Sequence, residues 1–280
     1  MVPAIWGGTF IAGRILALAV PPAMGSLLRY LAASAALLVT LSVVEGRLPR
    51  LDRRQLLATL TLGATGIFAY NLFFLGALSR LPASRGSLIV ALNPVVTIAA
   101  AAWLFSERLS PRRWAGVALA LAGVWIVVTR GDLAGLFTGA IGAGELMMFG
   151  AVCCWAAYTL IGRGIRGLTP LSATTYASLF GTAMLALAAA PGLPAFDPAV
   201  LGPGVIAAIL YLGVLGTAVA FVWYYRAVQV LGPARTVIFN NLVPVFGATF
   251  GVLLLGEPLS ASMVVGGVLA VSGVMLVSRA

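Results

Sequence analysis

The chain has 280 residues, of which 61% are hydrophobic and 9% are charged, and its mean hydropathy is +1.09. Soluble domains carry about 25% charged residues, so this composition excludes a soluble globular fold. The net charge of +10 results from 17 arginines and seven acidic residues. The arginines lie mostly between hydrophobic runs and apart from aromatic clusters, a distribution that argues against nucleic-acid binding. The chain has no histidine, which excludes histidine-dependent catalysis and metal binding.

Ten continuous apolar runs follow one another along the chain, each ending in a short polar break. A helix needs about 20 apolar residues to cross the hydrocarbon core, whereas the strands of a membrane β-barrel alternate over about 10 residues. These runs do not alternate, and we predict an all-α integral membrane protein with ten transmembrane helices. The predicted helices are residues 3–19, 26–44, 55–78, 84–105, 113–129, 142–162, 170–189, 203–228, 233–255 and 261–278.

An internal repeat with an offset of 150 residues relates residues 77–129 to residues 227–279, and 16 of these 53 positions are identical. The scarce residues that agree are Arg85 with Arg235, Pro94 with Pro244, and Glu107 with Glu257. We therefore expect two related halves of five helices each, residues 1–130 and 141–280. Because five is odd, the second half must enter the membrane from the opposite side, as an inverted repeat.

The distribution of arginines gives an orientation for these helices, because Lys and Arg favour the cytoplasmic ends of membrane helices. With both termini in the cytoplasm, twelve arginines fall on the cytoplasmic side. The five assigned to the outer side are Arg14, Arg29, Arg80, Arg85 and Arg130. We therefore predict a multi-pass protein with both termini cytoplasmic.

Pro94 and Pro244 occupy matching positions near the middle of helices 4 and 9. Proline frees the carbonyl four residues earlier, here those of Val90 and Asn240, and lipid cannot satisfy such a group. Interrupted helices at matching positions of inverted repeats indicate a binding site near the membrane midplane. We predict that both prolines mark a cavity and its gating region, with ordinary packing kinks as the alternative.

Polar and aromatic residues on the central helices are the candidate substrate ligands. Asparagine at membrane depth is costly without a partner, and aromatic rings supply apolar walls and stacking surfaces. The predicted substrate-binding residues are Tyr70, Asn71, Phe74, Asn93, Trp155, Tyr158, Tyr224, Asn240 and Asn241, and Trp223 lies on the same helices. The alternatives are polar contacts between helices and an aromatic belt at the membrane surface.

Other kinds of site are not indicated. No acidic residue lies clearly at the middle of a helix, so facilitated and proton-coupled transport both stay open. We predict no catalytic residue, no cofactor and no metal site, since the adjacent Cys153 and Cys154 lack further ligands. Glycines a heptad apart at 116 and 123 and at 266 and 273 predict close packing of helices 5 and 10 within one chain, with a seam between protomers as the alternative.

The duplication resembles the EamA family of the drug/metabolite transporter superfamily over essentially the whole chain. The resemblance rests on Trp6-Gly7 in helix 1, the proline pair, and Glu107 and Glu257 at the ends of helices 4 and 9. Within the superfamily the chain is similar to YddG-type exporters of aromatic amino acids. The resemblance implies export of small metabolites across the bacterial inner (plasma) membrane through a cavity lined by helices 1, 3, 4, 6, 8 and 9. Helix 1 begins abruptly at Met1, and we expect its cytoplasmic end to be abbreviated.

The leading functional hypothesis is export of amino acids, above all aromatic ones, by alternating access of the two inverted repeats around a central cavity. The implied partners are a small-molecule substrate and the lipid bilayer, and both a monomer and a homodimer stay open. Multidrug or quaternary-amine efflux is the alternative, although the lack of a central carboxylate favours zwitterionic or neutral solutes. An intramembrane enzyme is a remote alternative, because no set of acids or metal ligands would share a site.

Overall fold

The computed structural model describes residues 1–105, 110–131, 141–231 and 239–279, and this part of the chain is helical and has no β-strand. Nine of the described helices are long and apolar enough to cross a membrane, and Val243–Leu255 is a shorter apolar helix. The predicted all-α integral membrane fold is confirmed.

The first half contains five helical segments, which we number in chain order. They are α1 (Val2–Ala19), α2 (Pro22–Val44), α3 (Arg53–Leu78), α4 (Ala83–Val90 followed by Asn93–Phe105) and α5 (Pro111–Thr129). The observed ends lie within a few residues of the predicted ones. The largest difference is at α2, which begins at Pro22, four residues earlier than predicted.

The second half repeats this order. Its segments are α6 (Ala143–Arg163), α7 (Pro170–Ala189), α8 (Pro203–Leu210, Tyr211–Val219 and Ala220–Leu231), α9 (Val243–Leu255, after helical residues 239–240) and α10 (Ala261–Arg279). The largest buried apolar cluster contains side chains from both halves, including Phe10, Leu75 and Val95 from the first and Met148 and Leu212 from the second. The two halves therefore share one core.

Several helices begin at polar residues that cap them. The Asp52 carboxylate accepts a hydrogen bond from the Gln55 amide (2.8 Å), and the Gln55 side chain accepts one from the Asp52 amide (3.1 Å). The Ser110 and Thr169 hydroxyls cap α5 and α7, each followed by a proline in the first helical turn. A capping side chain accepts a hydrogen bond from a free amide at a helix start, and an early proline has no amide N–H that would need a partner.

A π-helical stretch occurs at equivalent places in the two halves, Gly63–Ala69 in α3 and Tyr211–Val219 in α8. At the offset of the sequence repeat, residues 63–69 correspond to residues 213–219, so the two stretches end at equivalent positions and the second begins two residues earlier. A π-turn contains more residues than an α-turn. The stretch therefore rotates the residues that follow it relative to a regular α-helix.

Helices α5 and α10 pack against each other within the chain along the predicted glycines. A Cβ atom added at Gly123 would lie 2.3 Å from the backbone nitrogen of Ala270, and one added at Gly273 would lie 2.4 Å from that of Ala120. Contacts this short involve backbone, which cannot rotate away. Glycine is thus required for the close approach of the two helices, as expected for small residues at membrane helix contacts.

We predict that Gly123→Ala lowers the melting temperature of the detergent-purified protein. The added methyl group overpacks a backbone contact, which typically costs about 1–3 kcal/mol. The matched control is Gly204→Ala in α8, because a Cβ at that position has no atom within 4 Å. Thermal unfolding followed by tryptophan fluorescence checks both variants, and equal melting temperatures would show that the α5–α10 contact tolerates a methyl group.

Candidate substrate cavity

A cavity of about 610 Å³ lies between the two halves, with lining residues from both. It extends to the end of the protein where α6 ends and α7 begins, since Arg163, Ile165 and Leu168 are part of its wall. The α2–α3 connection lies at the same end, because Thr169 donates a hydrogen bond to Glu45 (2.6 Å). We call this end, formed by residues 45–54 and 163–170, the arginine-rich face, and the other end the opposite face.

Most of the predicted site residues lie in the wall of this cavity. They are Tyr70, Asn93, Trp155, Tyr158, Tyr224, Asn240 and Asn241, together with Pro94 and Pro244. The wall also includes residues of α2, α7 and α10, in addition to the six helices that the family resemblance implied. Trp223 is outside the wall and is 40% exposed.

The helices carrying the two prolines are interrupted at the wall of the cavity. Residues 91–92 and residues 241–242 form turns, and the helix resumes just before Pro94 and Pro244. Both turns are closed by the same short-range bond at an offset of 150, from the Leu92 amide to the Ile89 carbonyl and from the Leu242 amide to the Phe239 carbonyl, each 3.0 Å. The predicted paired helix breaks are therefore present, and both face the cavity.

Side-chain amides beside these breaks are buried without a hydrogen-bond partner among the described residues. They are the Oδ1 atom of Asn93 and both polar atoms of the Asn241 side chain, which is 4% exposed. A buried polar group without a partner costs about 1–3 kcal/mol. Both side chains are part of the cavity wall, where a polar ligand can satisfy them. Asn240 differs, since its side chain is hydrogen-bonded to the hydroxyl group of Tyr224.

Aromatic rings form two groups in the cavity wall. Tyr70, Trp155 and Tyr158 follow one another with ring centroids 5.5 and 5.4 Å apart. Trp6 lies 5.5 Å from Tyr224 and 5.9 Å from Phe221, and its indole N–H donates to the Gly216 carbonyl (3.0 Å). These distances are typical of stacked and tilted aromatic pairs. The rings give the cavity apolar walls that fit a flat or apolar group.

Two predicted ligands, Asn71 and Phe74, lie behind the wall instead of in it. They are 0% and 1% exposed, respectively. Phe74 stacks on the ring of Tyr70, with ring centroids 5.6 Å apart. Asn71 accepts a hydrogen bond from Arg29 (2.7 Å). Both residues follow the π-helical stretch of α3. Phe74 positions Tyr70 and Asn71 positions Arg29, and these two neighbours face the cavity.

Arg29 is a cavity residue that the sequence analysis assigned to the outer surface. It lies within α2, is 7% exposed, and is part of the cavity wall. An arginine inside an otherwise apolar span is the sequence signal that could have identified it.

A carboxylate closes the opposite face at the start of α4. Glu257 accepts hydrogen bonds from the backbone amides of Ala83 (2.6 Å) and Ser84 (2.8 Å) and from the Ser84 hydroxyl. The first amides of a helix have no partner within the helix, and its positive end favours an anion. Glu257 therefore joins the second half to the first. Its predicted counterpart Glu107, like Arg235, lies outside the described residues.

A buried ion pair joins the halves at the same face. Arg85 of α4 and Glu145 of α6 are 3.0 Å apart, and their side chains are 9% and 8% exposed. The Glu145 carboxylate also accepts the Gly142 amide (3.0 Å), and Arg85 donates to the Val128 carbonyl. Arg85 therefore lies in the predicted helix, near its start, and has a buried acidic partner. The cavity thus reaches one face while polar contacts between the halves close the other.

The described residues contain no group of three or more His, Cys, Asp or Glu side chains that could hold a metal ion. Cys153 and Cys154 are free thiols on α6.

Comparison with known proteins identifies the fold and the general role. The model of the EamA-like transporter family matches residues 1–129 and 142–279. An uncharacterized transporter of Bacillus subtilis, YyaM, is 29% identical over 97% of this chain and 89% of its own length. A protein of Streptantibioticus cattleyicolor, named a probable terminal-alkyne amino-acid exporter, is 31% identical over 98% of this chain and 90% of its own.

A solved crystal structure with 22% sequence identity has the same fold, with a TM-score of 0.63 over 98% of this chain and 95% of that chain. The family match covers both five-helix halves, in the same regions where the structure places the repeated helix breaks. The chain therefore belongs to the EamA-like transporter family.

Proposed function

We propose that this transporter exports amino acids with apolar or aromatic side chains by alternating access of its two halves, residues 1–130 and 141–280. The observation that carries the proposal is the cavity between the halves, which reaches one face and is closed by inter-half contacts at the other. Its volume is in the range of small-molecule pockets. Aromatic walls and unpaired asparagines supply partners for an apolar side chain and for polar groups of a substrate.

The direction of transport follows from the charge distribution. Basic residues favour the cytoplasmic side, so we assign the arginine-rich face and both termini to the cytoplasm. The organisms of the relatives described above are bacteria, and we accordingly place the protein in the bacterial inner membrane. The cavity then receives substrate from the cytoplasm, as export requires. The relative named as an amino-acid exporter supports the same substrate class.

Release to the outside requires the opposite face to open. Both polar contacts there, Glu257 with the start of α4 and Arg85 with Glu145, join the two halves and must break. A separate set of contacts joins α2 to α7, where the Ser34 hydroxyl lies 2.9 Å from those of Ser178 and Thr182. We assign this α2–α7 contact, which lies away from the closed end, to the hinge about which the halves rock.

Efflux of quaternary amines is less compatible with the cavity. The described wall includes Arg29 and Arg163 and no Asp or Glu side chain, so its charge repels cations. A role in transport and not in catalysis accords with the family, whose members are described as transporters.

Truncation of the cavity wall is expected to reduce export without affecting membrane insertion. Trp155→Ala, Tyr224→Ala and Asn241→Ala each remove a wall contact, and an aromatic contact is worth about 0.5–1.5 kcal/mol beyond its buried area, or up to about tenfold in affinity. The measurement is uptake of labelled L-phenylalanine into proteoliposomes. Trp103→Ala is the matched control, because this tryptophan is 83% exposed on α4 and is not part of the wall. Wild-type flux in all three wall variants would refute the site.

Glu257→Gln is expected to loosen the opposite face, because it replaces charge-assisted hydrogen bonds with weaker neutral ones. The reporter is Ser87→Cys in a background where Cys153 and Cys154 are alanine, since Ser87 is 0% exposed one turn inside the closure. A membrane-impermeant thiol reagent should label it about tenfold faster with Gln at 257. Asp197→Asn, a change at an exposed acid in the α7–α8 connection, is the control. Equal labelling would show that Glu257 does not hold the face closed.

A further inference from the structure

Arg29 is a charged side chain placed well inside the membrane-spanning part of the protein. It lies seven residues after the start of α2, about 10 Å along the helix axis. It is 7% exposed, and the surface that it retains belongs to the cavity wall. An ionisable side chain at this depth is costly and usually has a partner or a function.

The partners of Arg29 within the described chain are neutral. Its Nη1 atom donates to the Asn71 Oδ1 atom (2.7 Å), and its guanidinium lies 5.2 Å from the Tyr30 ring centre and 5.9 Å from that of Phe74. Its Nε atom is buried without a hydrogen-bond partner. Across the described ranges, no carboxylate lies within 4.0 Å of it, in contrast to Arg85, which has Glu145. The positive charge is therefore uncompensated.

The guanidinium is nevertheless held in place. The Asn71 side-chain N–H donates to the Ile67 carbonyl (2.6 Å), which leaves the Oδ1 atom directed towards Arg29. The Tyr30 and Phe74 rings support the planar group from its sides through cation–π contact. An arginine fixed in this way loses little further freedom when it binds an anion, and its planar fork matches a carboxylate.

We infer that Arg29 binds the carboxylate of the transported substrate, an assignment that rests on the proposed function and adds a substrate class to it. The Phe74 ring, behind the wall, lies 5.9 Å from the Arg29 guanidinium, and the wall rings of Tyr70 and Trp155 follow with centroid distances of 5.6 and 5.5 Å. A ligand with its carboxylate on Arg29 therefore places an apolar or aromatic group against the rings of Tyr70 and Trp155, which line the cavity. The site selects compact carboxylates with an apolar group and rejects cations.

The test uses two probes that differ only at the acid group, 3-phenylpropanoate and 3-phenylpropanamide. Their binding to the purified full-length protein is measured by isothermal titration calorimetry. The wild type is expected to bind the carboxylate at least about tenfold more tightly than the amide, because a hydrogen bond to a charged group is worth about 1.5–3 kcal/mol. Arg29→Gln should remove this preference and change binding of the amide by less than about twofold. Arg54→Gln, which removes an exposed arginine from the first turn of α3, should keep it.

A wild type without preference for the carboxylate, or a preference that survives in Arg29→Gln, overturns the assignment. Equal weakening of both probes also overturns it, since that result indicates a structural role for Arg29. If Arg29→Gln does not fold, Arg29→Lys replaces it. Lysine keeps the charge without the fork, so it should reduce the preference without abolishing it, and an unchanged preference counts against the assignment.

The proposed function is judged separately by uptake of labelled L-phenylalanine into proteoliposomes. No uptake together with an Arg29-dependent preference would refute amino-acid export and leave the carboxylate site standing. Uptake of labelled L-phenylalanine without a preference for the carboxylate probe would refute the carboxylate site and leave amino-acid export standing. Tight binding of tetraphenylphosphonium with no binding of 3-phenylpropanoate would overturn both and favour drug efflux.

Discussion

Lipid offers no hydrogen bond to a backbone amide or carbonyl, and this constraint determines where the helices of the protein can begin, break and meet. The first amides of α4 have a partner because the Glu257 carboxylate from the other half accepts them. The breaks in α4 and α9 occur where a cavity, and not lipid, is beside them. The closed face and the cavity thus both follow from the need to satisfy the backbone of α4.

The two halves repeat the backbone more closely than they repeat the side chains. The π-helical stretches and the turns before Pro94 and Pro244 recur at an offset of 150. The asparagines do not, because Asn93 corresponds to Val243 and Asn241 corresponds to Ala91. The cavity is therefore symmetric in its breaks and asymmetric in its polar groups. Such a site suits a substrate whose two ends differ, one polar and one apolar.

The sequence was sufficient to predict the apolar helices, the repeat and nine residues of the cavity wall, because each depends on a local pattern. Hydrophobic length identifies a span, and proline at matching positions identifies a break. The places of Asn71 and Phe74 depend instead on the π-helical stretch before them, which changes the face on which later residues fall. Nothing in the residue types of α3 indicates that stretch, and the prediction that Asn71 and Phe74 line the cavity rested on their polar and aromatic character.

The sequence did not predict Arg29 as a cavity residue, because a long charged side chain near a helix end usually reaches the membrane surface. The predicted helix began at residue 26, which put Arg29 in its first turn, whereas α2 begins at Pro22 and carries Arg29 a further turn inward.

The position of Arg29 matters for transport because α2 also contacts α7 of the other half through Ser34. If the halves rock about that contact, a carboxylate on Arg29 is bound close to the hinge, where displacement is smallest. The closing contacts at Glu257 and Arg85 lie at the opposite face, where displacement is larger, so the face can open while the substrate keeps its anchor.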